Sequence, residues 1–176
     1  LKLMTEHLGY ADRLAVTQRL VLYGSEEMGE DRIELTENLS YRFPRSFRSH
    51  IQFETTERIL VVDSGNSLSV LNGQIQPISQ TRFDRYKDLL LYRSSDILQE
   101  NLDSFGVDTS VSSLGRFEDQ VVFVIGARYP DRSVSQIWIS KDTFRPCRWI
   151  IKNGKDSLAL DMVFKNWVQR QGLWYP

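Results

Sequence analysis

The sequence predicts an α+β domain in which one strongly curved antiparallel sheet wraps around helices, and three observations predict it. Two Asn-Gly dipeptides, Asn72-Gly73 and Asn153-Gly154, sit between apolar β-prone runs, where Asn-Gly suits the two positive φ angles of a type I′ hairpin turn. Apolar and polar residues alternate over residues 33–43 and again over 47–53, the period of a strand with one wet face. Between these β-rich parts, residues 83–105 repeat apolar side chains at helical spacing instead.

Taken in order, residues 1–8 read as an N-terminal helix. Leu20 and Leu22, against Arg19 and Tyr23, belong to a first strand. Glu26, Glu27, Glu30 and Asp31 follow, and a solvated hairpin loop is the expectation there rather than a calcium site. Ile33, Leu35, Leu39, Tyr41 and Phe43 then alternate with Glu34, Thr36, Asn38, Ser40 and Arg42, and Glu37 alone interrupts the apolar series. Pro44-Arg45-Ser46 breaks this strand, and Phe47, Ser49, Ile51 and Phe53 form the return. Residues 58–63, 120–126, 134–140 and 158–168 complete the β series, with turns at Tyr129-Pro130-Asp131-Arg132 and Lys141-Asp142-Thr143. The expected total is about nine or ten strands, neighbours pairing antiparallel.

A two-residue loop fixes hairpin register. Around Asn72-Gly73 it pairs Val70 with Ile75 and Leu68 with Pro77, the proline marking an edge or a strand end. Around Asn153-Gly154 it pairs Ile151 with Asp156, Trp149 with Leu158 and Cys147 with Leu160. In the helical middle, Phe83, Tyr86 and Leu90 share a face, as do Leu98, Leu102 and Phe105 before Gly106, which suits the position after a helix end. Ser94, Ser95 and Asp96 are candidate caps. Residues 106–119 read as loop, a short helix being the alternative. With no repeat, low-complexity tract or linker, the chain reads as a single domain over 1–176 with a helical insert at about 83–105.

Twenty-two Lys and Arg against 23 Asp and Glu leave a net charge of −1, so there is no basic surplus to neutralise phosphates and nucleic acid is not an expected partner. No apolar run approaches the ~18 residues that span a bilayer, and the segment from Leu1 has neither a basic n-region nor an apolar h-region. Any targeting peptide is expected to have been removed or never to have been present. Cys147 is the single cysteine, which rules out an intrachain disulfide and leaves the compartment open.

Candidates for catalysis are sparse. His50 sits on the wet face beside Arg48 and Gln52, as a surface residue would, and Asp63-Ser64-Gly65 reads as a turn because it lacks a nucleophile elbow. His7, His50 and Cys147 do not have metal-ligand spacing, and the glycines form no phosphate loop. Cys147 faces the apolar side in the register above, as an inert core thiol. No enzyme activity, metal or cofactor is expected. Trp138 alternates with Gln136 and Ser140 and is expected outside or at a rim, whereas Trp149 shares the apolar face. Such a one-sided sheet must cover its inner face with helices or enclose something apolar.

Four stretches carry a family resemblance. They are Tyr41-Arg42-Phe43-Pro44-Arg45-Ser46-Phe47-Arg48, then Arg58-Ile59-Leu60-Val61-Val62-Asp63-Ser64-Gly65, then Phe123-Val124-Ile125-Gly126-Ala127 followed by Gln136-Ile137-Trp138-Ile139-Ser140-Lys141-Asp142-Thr143-Phe144-Arg145-Pro146-Cys147-Arg148, and finally Phe164-Lys165-Asn166-Trp167 with Tyr175-Pro176. The chain resembles the outer-membrane lipoprotein-sorting proteins, a LolA-like family of periplasmic carriers. The resemblance implies a half-open β-barrel with helices covering its concave face, and an apolar cavity that receives the acyl chains of a lipoprotein or another lipid. It implies periplasmic localisation, with an inner-membrane donor and an outer-membrane acceptor as partners. Strand parity selects Leu20, Leu22, Leu35, Tyr41, Ile51, Phe53, Trp149, Leu158, Leu160 and Phe164 as cavity walls, with Leu90 and Ile97 on a helical lid. Arg42 and Arg48 are candidates for contact with lipid head groups or a partner protein. The alternative is a non-enzymatic regulatory or structural interaction domain of the cell envelope, its cavity filled by its own side chains and its binding on an edge strand. The oligomeric state has no sequence signal.

Overall fold

A computed structural model describes residues 1–23, 32–78, 80–153 and 158–176. The chain divides into two units, Asp12–Thr81 on the one hand and Leu1–Ala11 with Arg82–Pro176 on the other. The strands accordingly fall into a six-stranded sheet, a five-stranded sheet and a two-stranded ribbon, rather than the single sheet the sequence suggests. All the pairing is antiparallel.

In the unit Asp12–Thr81, β1 (Arg13–Tyr23), β2 (Arg32–Arg42), β3 (Ser46–Phe53), β4 (Thr56–Asp63), β5 (Asn66–Leu71) and β6 (Gln74–Ile75) follow one another across the sheet. The acidic stretch Glu26 to Asp31 lies outside the described residues. Asn72 and Gly73 both have left-handed φ, at 48° and 78°, and Val70 pairs with Ile75 as that turn requires. β6 ends at Ile75, so Leu68 pairs with Val61 on the opposite side rather than with Pro77. Ser64-Gly65 forms a second turn of the same sign pattern, which accounts for the Asp63-Ser64-Gly65 sequence structurally.

The alternation works as expected across this sheet. Leu39, Tyr41, Phe47, Leu60 and Val62 are buried on one face, while Ser40, Arg42, Arg48 and Val61 are exposed on the other. Glu37 belongs to the buried face and is only 2% exposed. Its carboxylate accepts hydrogen bonds from Ser49 Oγ and from Gln18 Nε2, the latter at 2.7 Å. A carboxylate persists in an apolar row only with such partners.

The second unit begins with α1 (Lys2–His7), continues after a 3₁₀ turn (Arg82–Arg85) with α2 (Tyr86–Leu91) and α3 (Ser95–Ser104), and then becomes β-rich. Ser94 is the N-cap of α3. Its other end closes through Gly106 N–H to Asp103 O and Val107 N–H to Leu102 O, with Gly106 at φ 75°. That is a Schellman motif, and its apolar pair Leu102 and Val107 is buried. Phe83, expected on the buried helical face, is 60% exposed because the chain is still in the 3₁₀ turn there.

β7 (Ser112–Phe117), β8 (Gln120–Ile125), β9 (Gln136–Ser140), β10 (Pro146–Lys152) and β11 (Leu158–Val163) form the five-stranded sheet, and β12 (Val168–Arg170) pairs with β13 (Leu173–Tyr175). β7 corrects the expected loop over 106–119. The β7–β8 turn is Glu118-Asp119, both with positive φ, a turn without the Asn or Gly that would announce it. The expected strand over 158–168 stops at Val163 and a separate strand starts at Val168. Register between β10 and β11 also differs: Trp149 faces Met162 and Ile151 faces Leu160, not Leu158 and Asp156. Residues 154–157, including Gly154 of the expected turn, lie outside the described residues. The shift preserves parity, so Trp149 and Leu160 still share a face.

Met4, Leu8, Leu89, Leu98 and Leu102 from the helical segments pack with Ile137, Ile139, Trp149, Ile151 and Phe164 from the sheet. Each such buried side chain contributes about 1.5–3 kcal/mol relative to exposure, so this layer dominates the unit's stability.

Trp138 is buried rather than at a rim, because the opposite face of the sheet is covered too. Phe117 and Tyr129 meet its ring edge-on, the Arg132 and Arg148 guanidinium groups lie 5.4 and 5.0 Å from its centroid, and its Nε1 donates to Gln136 Oε1 at 2.8 Å. Cys147 packs in this second cluster, not beside Trp149. The register shift between Pro146 and Arg148 turns it over.

Candidate functional site

The residues expected as cavity walls divide between the two units. On the six-stranded sheet, Leu20 pairs with Leu35 across β1 and β2, and Tyr41, Ile51 and Phe53 follow on the same face by register. Tyr41 is buried, whereas Leu20, Leu35, Ile51 and Phe53 are half-buried and Ile33 is 42% exposed. The strands thus carry a well-packed end around Leu39, Tyr41, Phe47 and Val62, and an end at Leu20, Leu35, Ile51 and Phe53 whose apolar side chains retain contact with solvent. Glu37, Gln18 and Ser49 form a polar step between the two. The side chains of Leu22 and Leu158 lie outside the described residues.

In the other unit, Trp149, Leu160 and Phe164 share the apolar side of the five-stranded sheet, as expected. From α2 and α3 that cluster takes Leu89, Leu98 and Leu102, while the expected lid residues Leu90 and Ile97 are buried and half-buried respectively. Leu89-Leu90-Leu91 presents an apolar side chain at every position of one turn, so spacing alone does not choose among them. Trp149 meets the edge of Phe105 at 5.4 Å between ring centres. Its Nε1 has no hydrogen-bond partner among the described residues, in contrast to that of Trp138.

The outer face of the six-stranded sheet holds an open groove of ≈ 730 Å³. Arg13 stands directly opposite Arg42 across β1 and β2, and Arg48 lies diagonally on β3, where it pairs with Ser40 and Val61. All three arginines are exposed and line the groove with Ser40, Ser46 and Asp63. Arg42 and Arg48 stand out in the sequence, and Arg13 does not. Finding Arg13 required the β1–β2 register, which depends on a loop whose length the sequence pattern leaves open.

The titratable groups elsewhere are arranged structurally. Burial pushes the Cys147 thiol up to about 12, and its Sγ lies 3.3 Å from Trp138 O, so no thiolate is available at neutral pH. His50 Nε2 is 2.8 Å from Glu57 Oε1 on the outer face, with no nucleophile between them. On α2, Lys87 and Asp88 are buried and joined at 2.8 Å, with Arg85 3.7 Å from the same carboxylate. Burial holds the Lys87 ammonium below its ordinary value against the pull of Asp88. Among the described residues no group of three His, Cys, Asp or Glu side chains is placed to hold a metal ion, and no helix is long and apolar enough to cross a membrane.

No family model matches the sequence, and no curated protein matches it. Solved structures do. A LolA superfamily protein from Nitrosomonas europaea superposes with a TM-score of 0.57 at 10% identity, covering 97% of this chain and 78% of that one. A domain named for outer membrane lipoprotein sorting from Vibrio parahaemolyticus gives a TM-score of 0.57 at 14% identity with the same coverage, 97% and 78%. A DUF1329 family protein from Desulfovibrio piger gives 0.53 at 13% identity over 98% of this chain and 79% of that one. The resemblance drawn from the four sequence stretches therefore points to the same group of proteins as these structural neighbours. At these identities the likeness is one of fold.

Proposed function

We propose that the protein is a non-enzymatic periplasmic carrier that binds the acyl chains of a lipoprotein or another lipid and passes them toward the outer membrane. The observation that carries this reading is the apolar end of the six-stranded sheet, where Leu20, Leu35, Ile51 and Phe53 are half-buried on one face. The LolA-superfamily fold of its structural neighbours supports it. Removing about ten methylenes of an acyl chain from water is worth ~8 kcal/mol, the scale of a micromolar dissociation constant, so this surface needs no charged anchor. Trp149, Leu160 and Phe164 offer a second apolar surface when α2 and α3 move off the five-stranded sheet. An ester or amide carbonyl arriving there would accept the Trp149 N–H. Release follows if the helix-packed and ligand-filled states differ by only a few kcal/mol. An inner-membrane donor and an outer-membrane acceptor complete the route.

The test is a calorimetric titration of delipidated protein with a triacylated lipopeptide and with the same peptide unacylated. Saturable binding of the acylated form alone is expected, weakened at least about tenfold by Ile51→Glu, because a carboxylate placed among methylenes must be desolvated. Absence of saturable binding in folded, delipidated protein refutes the carrier and leaves an interaction domain of the envelope.

A further inference from the structure

The outer face of the six-stranded sheet is not a uniform solvated surface. At one end of it Arg19 lies 3.4 Å from Glu34, and His50 Nε2 lies 2.8 Å from Glu57 Oε1. At the other end three arginines stand together. Arg13 and Arg42 are cross-strand partners, a position where like charges sit about 5 Å apart at Cβ and destabilise the pairing. Arg48 is their diagonal neighbour on β3. Among the described residues none of the three side chains has an ion pair or a hydrogen bond. Asp63, the carboxylate in the groove, accepts the Ser46 hydroxyl. The groove therefore holds a surplus of positive charge in a chain whose net charge is −1.

Apolar residues flank the arginines. Arg48 pairs with Val61, and Val61 pairs with Leu68; these two are 38% and 44% exposed, although both occupy strand interiors. A guanidinium fork suits two phosphate oxygens, and an exposed Val–Leu pair beside it suits the glycerol and upper acyl region beneath a headgroup. The arginines are spread over three adjacent strands as a patch, which matches a flat array of headgroups better than a single extended acidic peptide.

We propose that this face, centred on Arg13, Arg42 and Arg48, docks the protein on a membrane surface by binding the phosphate of anionic phospholipid headgroups. The site is separate from the apolar face on which acyl chains are proposed to bind, and it stands or falls independently of that reading.

The test is flotation of the full chain with vesicles of phosphatidylcholine alone and of phosphatidylcholine with about one-third phosphatidylglycerol, at low and high salt. Binding is expected only to the anionic vesicles and is expected to fall with salt. Each arginine at such a surface is worth about fivefold, so Arg42→Gln/Arg48→Gln should lower partitioning about 25-fold. The charge-matched pair Arg116→Gln/Arg128→Gln, outside the groove, should change it by less than about twofold. Circular dichroism checks that each variant folds, and titration with the acylated lipopeptide should be unchanged in both. No binding to anionic vesicles, or equal loss in the two double variants, overturns the proposal. Saturable binding of inorganic phosphate or of polyglutamate in a protein that ignores vesicles also overturns it, in favour of a soluble anion or an acidic peptide.

Discussion

Cys147 shows how a single backbone irregularity decides the chemistry of a side chain. The register shift beside it places the thiol against Trp138 and Val122, where burial raises it to about 12. The folded state therefore keeps its proton over a range in which the unfolded chain, with a thiol near 9.0, has lost it. The sign follows: stability is intact below pH 9 and declines as pH rises from there toward about 12. Denaturant unfolding at pH 8 and pH 10 should show this decline, and Cys147→Ala should flatten it. Labelling of the native thiol by a disulfide reagent at pH 8 should be at least about a hundredfold slower than in denaturant. Glu37 is the opposite case, a residue whose oddity was visible in the sequence as the one break in an apolar series. Its role became clear only with Gln18 and Ser49, which come from the two strands on either side of it.

Individual elements were legible in proportion to how strongly local chemistry dictated them. The alternation in β2 and β3 and the Asn72-Gly73 turn allowed one arrangement each, and the structure has it. Glu118-Asp119 makes the same kind of turn from residues that do not demand it, and so the sequence of β7 reads as loop. β9 departs from expectation for another reason: all five of its residues are buried, so there is no wet face for alternation to report, and Gln136 and Ser140 beside Trp138 do not mark a rim. Glycines at two turns give a test of this view. At Gly73 a methyl group would meet nothing within 4 Å, so Gly73→Ala should cost only the left-handed backbone term, about 1–2 kcal/mol. At Gly126, with φ 101°, a methyl group would lie 2.6 Å from Ser135 O, a backbone atom that cannot turn aside. Gly126→Ala should therefore destabilise by clearly more, about 3 kcal/mol or above, in the same unfolding experiment.

For the molecule as a whole, the antiparallel β-rich character and the family likeness were readable, but the distribution of the strands over separate sheets was not. Antiparallel meanders look alike in sequence whether they continue or stop, and nothing local in the segment after β6 marks a sheet's end. The expected wall residues accordingly divide between the two units. Within the six-stranded sheet, parity placed Leu20, Leu35, Tyr41, Ile51 and Phe53 together, whereas the third arginine of the outer groove depended on a pairing across an unread loop. The two faces of that sheet separate the proposed tasks, acyl chains on the apolar side and headgroup phosphate on the basic side. The most direct measurement is photolabelling with a lipopeptide that carries a diazirine within an acyl chain, followed by mapping of the adducts. The carrier account predicts adducts on the peptides that contain Leu20, Leu35, Ile51 and Phe53, lost in the presence of excess unlabelled lipopeptide. Adducts confined to the Val61 and Leu68 side, or no competable adduct at all, would contradict it.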